Sequence, residues 1–218
     1  MSRVNISIRG VLSFDTSASI GIGSLIIFIA MIMVAGVTAS VMIQTMNSLE
    51  SQALKTASET IKDIANGVRV THVSGYSNTS KITQLAIFIE TTAGSDAVDL
   101  SHTYIALSDS SSNNLLNYDD TCFSSSVSSG IFSTINPSNL TNEEFGIIVI
   151  RDIDNSCGST NPSINKDDMV AIIVNTTSCF SGLSTRTEVF GRVTPEYGIR
   201  GVIQFTTPGA YTKTIIDF

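Results

Sequence analysis

From residue 16 to residue 49 the chain carries no charged side chain, and this limits what it can fold into more than any other feature. Residues 20–43 form a dense apolar run of 24. As a helix rising about 1.5 Å per residue, such a run can cross about 30 Å of hydrocarbon. Ahead of it stands "MSRVNISIRG", with Arg3 and Arg9 and no acid, which places the positive end on the cytoplasmic side of a membrane. A secretory signal would have an apolar core of roughly 7–15 residues closed by a small-x-small cleavage site. Here the run is longer and the helical pattern continues past it. Leu49, Ala53, Ala57, Ile61, Ile64 and Val68 recur at steps of three or four and share one face. Lys55 with Glu59, and Glu59 with Lys62, put opposite charges on the outer face. Asn66-Gly67 is a natural stop, because glycine tolerates a left-handed cap.

The pattern therefore predicts one helix from about residue 20 to about residue 66, roughly 70 Å long and far longer than a bilayer requires. Its apolar half is studded with Gly21, Gly23, Ala30, Ala35, Gly36 and Ala39. Small residues let helix backbones approach closely, so this surface suits packing against other helices as well as lipid. A lone anchor on a short stalk is the plainer alternative, but it has no need of an amphipathic extension ending in a cap.

After Gly67 the character changes. Residues 68–80 read as a polar, turn-rich linker, and residues 81–218 as a β domain. "KITQLAIFIETT", "AVDLSHTYIALSD", "EFGIIVIRDI", "DMVAIIVNT", "TEVFGRV" and "RGVIQFTT" are short runs rich in Val, Ile and Phe, separated by Ser, Asn, Gly and Pro. No helical period intervenes, which favours an antiparallel sandwich or barrel over βαβ units. The fold class expected is α+β, a long hydrophobic helix followed by an antiparallel β-sandwich.

A net charge of −7 over 218 residues, with no Lys/Arg stripe, argues against a nucleic-acid partner. No P-loop, dinucleotide fingerprint or GxSxG elbow occurs, and His72 and His102 are isolated, so neither an enzyme nor a cofactor is expected. Cys122, Cys157 and Cys179 form no CxxC; one disulfide with a leftover thiol and three buried thiols both remain open.

The run "GIGSLIIFIAMIMVAGVTASVMI", residues 21–43, resembles the N-terminal helix of archaellins, the filament subunits of the archaeal flagellum. "RVTPEYGIRGVIQFTTPGAY" is similar to the C-terminal pattern of the same family, with Pro195, Glu196, Gly198 and Pro208 in the corresponding places. The resemblance covers both ends of the chain. It implies an immunoglobulin-like outer domain and a homopolymer assembled through a bundle of N-terminal helices. It also implies transient insertion in a membrane, a membrane assembly platform and an extracellular filament used for swimming. A prepilin-type peptidase would remove a basic leader, residues 1–10, by cutting between Gly10 and Val11, leaving residues 11–67 as the assembly helix. The family's Gly-Ile-Gly usually follows the cut by a few residues, whereas residues 11–20 intervene here, so a cut nearer Ala18-Ser19 is the alternative. With the cut after Gly10, Asp15 either pairs with a neighbour's N-terminal amine, as an acid does in type IV pilins, or simply precedes the helix. The competing function is an adhesive pilin or a membrane-anchored β-sandwich that binds sugars or surfaces.

Three Asn-x-Ser/Thr acceptors for N-glycans lie in the outer domain, at Asn78, Asn139 and Asn175. Asn78 and Asn139 sit in loop-like contexts, and Asn175 ends an apolar strand. Residues 151–168 concentrate Asp152, Asp154, Asn155, Asp167 and Asp168, oxygen donors of the kind that hold Ca²⁺. The EF-hand spacing is not met, because Ser163 stands where its bidentate Glu belongs. The stretch reads as a solvated acidic loop, with no metal expected.

Overall fold

The computed structural model describes the chain from Thr16 to Phe218, with side chains from Ile20. Helix α1 spans Thr16–Ala65. It contains no proline, and its hydroxyls turn back onto its own carbonyls. Ser24 Oγ donates to Gly21 O at 2.9 Å, Thr38 Oγ1 to Val34 O at 2.8 Å and Thr45 Oγ1 to Met42 O at 2.8 Å. These bonds satisfy the hydroxyls of Ser24, Thr38 and Thr45 within the helix itself. By length and composition the helix is able to cross a membrane.

Two units make up the chain, divided between Thr56 and Ala57. In the second, the last turns of α1 lead into eleven strands. β1 (Val68–Asn78) and β2 (Lys81–Thr91) form a hairpin whose turn holds Thr79 at φ 47. β3 (Val98–Asp99), β4 (Tyr104–Ser108) and β5 (Asn113–Ser124) follow, then a single turn of helix, α2 (Ile131–Thr134), and a 3₁₀ turn at Pro137–Asn139. β6 (Glu144–Arg151), β7 (Ser163–Ile164) and β8 (Met169–Asn175) precede the short α3 (Thr176–Phe180). β9 (Glu188–Thr194), β10 (Gly201–Thr206) and β11 (Ile215–Asp217) complete the domain.

Nine strands make one sheet in the order β10-β9-β4-β5-β6-β8-β2-β1-β11, while β3 and β7 pair separately. Neighbours run antiparallel except β5 and β6, which are parallel. The sandwich therefore takes the form of a continuous mixed sheet curled around its own core. Its outermost strands meet, since Phe205 of β10 stacks on Phe218, just after β11, with ring centroids 4.2 Å apart. The enclosed core draws Val68, Leu85, Ile87, Ile105, Leu116, Ile147, Ile172, Val193 and Ile203 from strands all round the sheet. A second cluster lies on the other face of β2, β6 and β8, where Ala86, Ile148, Ala171 and Ile173 pack beneath Phe132, Ile135 and Leu140. Burial on both faces explains why these three strands read as nearly unbroken apolar runs.

Residues 68–80, expected to be a linker, are instead a strand and its turn. The polar composition misleads because β1 is buried on both faces by small residues: a Cβ at Gly75, on the inner side with Ser77, would stand 3.1 Å from Ile82 Cγ2, and Ser74 is buried on the opposite face. The helix also ends for a different reason than a left-handed cap. Gly67 has an almost extended φ of 157, and its place is fixed by Ile199, whose backbone N would lie 2.7 Å from a Cβ there.

Candidate functional site

The described side chains of α1, residues 20–65, are all exposed within this single chain. A helix apolar on every side in its first half and left uncovered is built to be covered by something else. Gly21, Gly23 and Gly36 sharpen the point. A Cβ at any of them would meet nothing within 4 Å beyond the helix's own backbone, and glycine costs a helix roughly 0.5–1 kcal/mol against alanine. Among the described residues, no contact requires these glycines. Ala30, Ala35 and Ala39 are likewise exposed. Gly10 and Val11, the expected cut site, lie outside the described residues.

The end of α1 and the C-terminal motif meet in space. Ile199 N donates to Asn66 O at 2.8 Å, and Val68 N donates to Ile199 O at 3.0 Å. Asn66 is buried and accepts from Asp96 N through Oδ1 at 2.9 Å. Gly198, at φ +96, lies directly against the Asn66 carbonyl. Thus the Pro195-Glu196-Tyr197-Gly198 loop clasps the end of α1. Tyr197 projects into solvent, its phenol pushed above its ordinary pKa by a hydrogen bond to Glu196, by that group's charge, and by Glu59 and Asp63 nearby. The sequence gives Gly198 as a motif residue but contains no signal that Asn66 is its partner.

The glycan acceptors divide. Asn78 is exposed at the tip of the β1–β2 hairpin, and Asn139 is exposed in its 3₁₀ turn. Asn175 is the correction. It is buried, its Oδ1 caps α3 by accepting from Thr177 N at 3.0 Å and Ser178 N at 3.3 Å, and its Nδ2 donates to Pro137 O at 2.7 Å and Leu140 O at 3.3 Å. The nitrogen that a glycan would occupy is already engaged, so the folded chain does not offer this acceptor.

In the acidic stretch, Asp152, Asp154 and Asp168 bring carboxylate oxygens within 4.8 Å of one another, a donor set that could hold a hard cation. The loop is not wholly solvated as expected, because Asp168 is completely buried. Its carboxylate accepts from Ile153 N at 3.2 Å and Asn165 N at 3.0 Å, closing the loop on itself. Asp154 is held below the usual carboxylate range by hydrogen bonds from Ser156 and Asn165. Asn155 and Asp167 stand outside the cluster, in left-handed turn positions at φ 58 and 69.

All three cysteines are free thiols. Burial pushes Cys122 up to about 11, Cys179 to about 11 and Cys157 to about 12, the last also through Asp152 and Asp168. Such thiols are protonated at neutral pH and poor nucleophiles. His72 approaches Asp217 at 3.2 Å and His102 approaches Asp99 at 3.4 Å, both on the exposed surface.

Comparison with known proteins decides the family. The profile of the family described as archaeal-type flagellin matches residues 18–205, most of the chain. The chain belongs to the archaeal-type flagellins. Among its relatives, flagellin B2 of Methanocaldococcus jannaschii is 41% identical over 198 residues, covering 90% of this chain and 91% of that one. Flagellin B1 of Methanococcus voltae is 36% identical, covering 97% and 99%. The crystal structure of archaeal flagellin FlaB1 from M. jannaschii aligns with a TM-score of 0.63 at 33% identity, covering 70% of this chain and 96% of that one. The archaeal flagellum of Methanospirillum hungatei shares the fold, with a TM-score of 0.64 at 15% identity, covering 90% and 98%. This archaellin is accordingly a structural subunit of an extracellular filament that self-assembles as a homopolymer, and not an enzyme.

Proposed function

We propose that the chain builds its filament through α1, in a sequence of three steps. The leader, residues 1–10, is removed between Gly10 and Val11 by a prepilin-type peptidase. The apolar half of α1 is then held in the membrane, and a membrane assembly platform draws the subunit out into the growing filament. There the helices bundle, with Gly21, Gly23, Ala30, Ala35, Gly36 and Ala39 at their closest approaches, and the β domains face outward carrying N-glycans at Asn78 and Asn139. The boundaries follow from this: residues 11–67 are the assembly element and residues 68–218 the outer domain, the former linker belonging to the sheet.

The observation that supports the reading most is a helix of this length with every described side chain exposed. Apolar surface gains about 25 cal/mol per Å² when removed from water, so such a helix gains far more inside a bundle than alone in water. Deleting the gene and imaging the cells tests the whole: long filaments and swimming are lost together. Loss of surface attachment with swimming filaments intact would mean an adhesive pilin instead. Mass spectrometry of filament subunits tests the cut, with a mature chain beginning at Val11 expected and one beginning at Met1 contradicting the scheme.

A further inference from the structure

The outer face of the sheet over β10, β9, β4 and β5 does not carry the polar surface that contact with water alone would favour. Cross-strand pairing lines up its outward residues in rows. Val202 lies beside Arg192, then Ala106, then Leu115; in the next row Phe190 lies between Gln204 and Ser108. Val202 is 72% exposed, Leu115 53% and Phe190 41%. The inward residues of the same strands, among them Ile105, Leu107, Val189, Val193 and Ile203, are fully buried, so the register is fixed and the outward apolar residues belong to the surface. The surface dips beside Phe190 and Arg192 into a shallow groove floored by Ala106 and Gly191. An apolar patch of this kind rimmed by polar groups marks an interaction surface.

We infer that this face is a contact between the outer domains of neighbouring copies, separate from the helix bundle; the inference rests on the filament reading above. Charge selects the occupant. Arg192 is the charged side chain within the two rows, and among the described residues no carboxylate pairs with it. The complement exists on the same chain: residues 116–150 contain no Lys or Arg, and Asp120 on β5 and Glu143 just before β6 are exposed there. An open helical polymer needs two unlike surfaces on every subunit, so that the contact propagates rather than closes. A basic-centred apolar face and an acidic edge supply such a pair.

The test uses the full chain in assembled filaments, with a photo-crosslinking amino acid in place of Phe190. Irradiation is expected to give a dimer band whose joined peptide comes from residues 116–150 of another copy. Links confined to one chain, or running elsewhere on the neighbour, would overturn the inference. A second variant, Arg192→Glu, sets a carboxylate against the neighbour's acidic region and is expected to lower filament yield about tenfold. Arg192→Glu filaments equal to the parent in number would overturn it as well. If the unsubstituted chain forms no filaments, it is the filament reading itself that fails.

Discussion

Gly198 sits so close to Asn66 that a Cβ on it would fall 2.2 Å from the Asn66 carbonyl oxygen, at a φ of +96 that side chains rarely adopt. The contact closes the loop that holds the end of α1, and the bonds from Ile199 N to Asn66 O and from Val68 N to Ile199 O depend on it. Gly198→Ala must therefore move the backbone, not merely strain it. Gly94 is the control, since its φ is +85 but a Cβ there meets nothing within 4 Å. Gly94→Ala is expected to cost about 1–3 kcal/mol, the range for a residue held in a sparsely populated region. Gly198→Ala is expected to cost clearly more. Thermal unfolding followed by the β signal compares them, and equal losses would show that the close approach has no consequence.

Asn175 ties three segments together: the end of β8, the start of α3 and the carbonyls of Pro137 and Leu140. Asn175→Ala removes a cap worth about 1 kcal/mol and two hydrogen bonds at about 0.5–1.5 kcal/mol each, leaving Pro137 O with Leu140 N alone and Leu140 O with Ser178 Oγ. A loss of about 2–4 kcal/mol is expected by denaturant unfolding, against almost none for Asn139→Gln at an exposed acceptor. Glycopeptide mapping should find sugar on the Asn78 and Asn139 peptides and none on Asn175. A glycan on Asn175 would contradict the assignment of its Nδ2 to the fold.

Much of this fold is legible along the chain and some is not, for physical reasons. β2, β6 and β8 are plain in the sequence because burial on both faces writes them as Ile/Val runs. β5 is hidden, because "NNLLNYDDTCFS" keeps much of its length in contact with solvent and shows no clean alternation. β1 is hidden by the serines and glycine that are buried on its two faces. The helix is evident from its uncharged length, yet its end is set by Ile199, a residue far along the chain that no local pattern can associate with Gly67. Asp168 reads as a solvated acid because burial of a carboxylate depends on backbone donors, here Ile153 and Asn165, that leave no mark on composition.

β11 is fastened to β1 in part by Asp217, whose carboxylate accepts from Ser74 Oγ at 2.7 Å and faces His72 Nε2 at 3.2 Å. The Ser74 hydrogen bond, with His72 adding to it, holds this carboxyl below the usual range. A depressed folded pKa contributes stability that is present above the unfolded value, near 3.9 for Asp, and is lost as pH falls through the folded one. Acidification into that window is expected to loosen β11 before the doubly buried β2, β6 and β8. Hydrogen exchange of residues 215–217 at pH 5 and pH 3 measures it. Asp217→Asn should flatten the difference, and a difference that persists in this variant would place its origin elsewhere.

Gly36 lies in the uncovered apolar half of α1, where a Cβ would meet nothing within 4 Å among the described residues. Gly36→Leu should therefore leave the isolated helix intact, since leucine is the better helix former, and should raise its affinity for a membrane. Helices that pack through small residues respond in the opposite sense, because added bulk holds their backbones apart. The two tendencies separate insertion from assembly. Membrane fractions of cells making the variant are expected to retain as much of the chain as the parent or more. Filament yield by electron microscopy is expected to fall severalfold. Normal filaments from Gly36→Leu would mean that this glycine faces a gap in the bundle rather than a neighbouring helix, and that the close approaches lie at Gly21, Gly23 and the alanines instead.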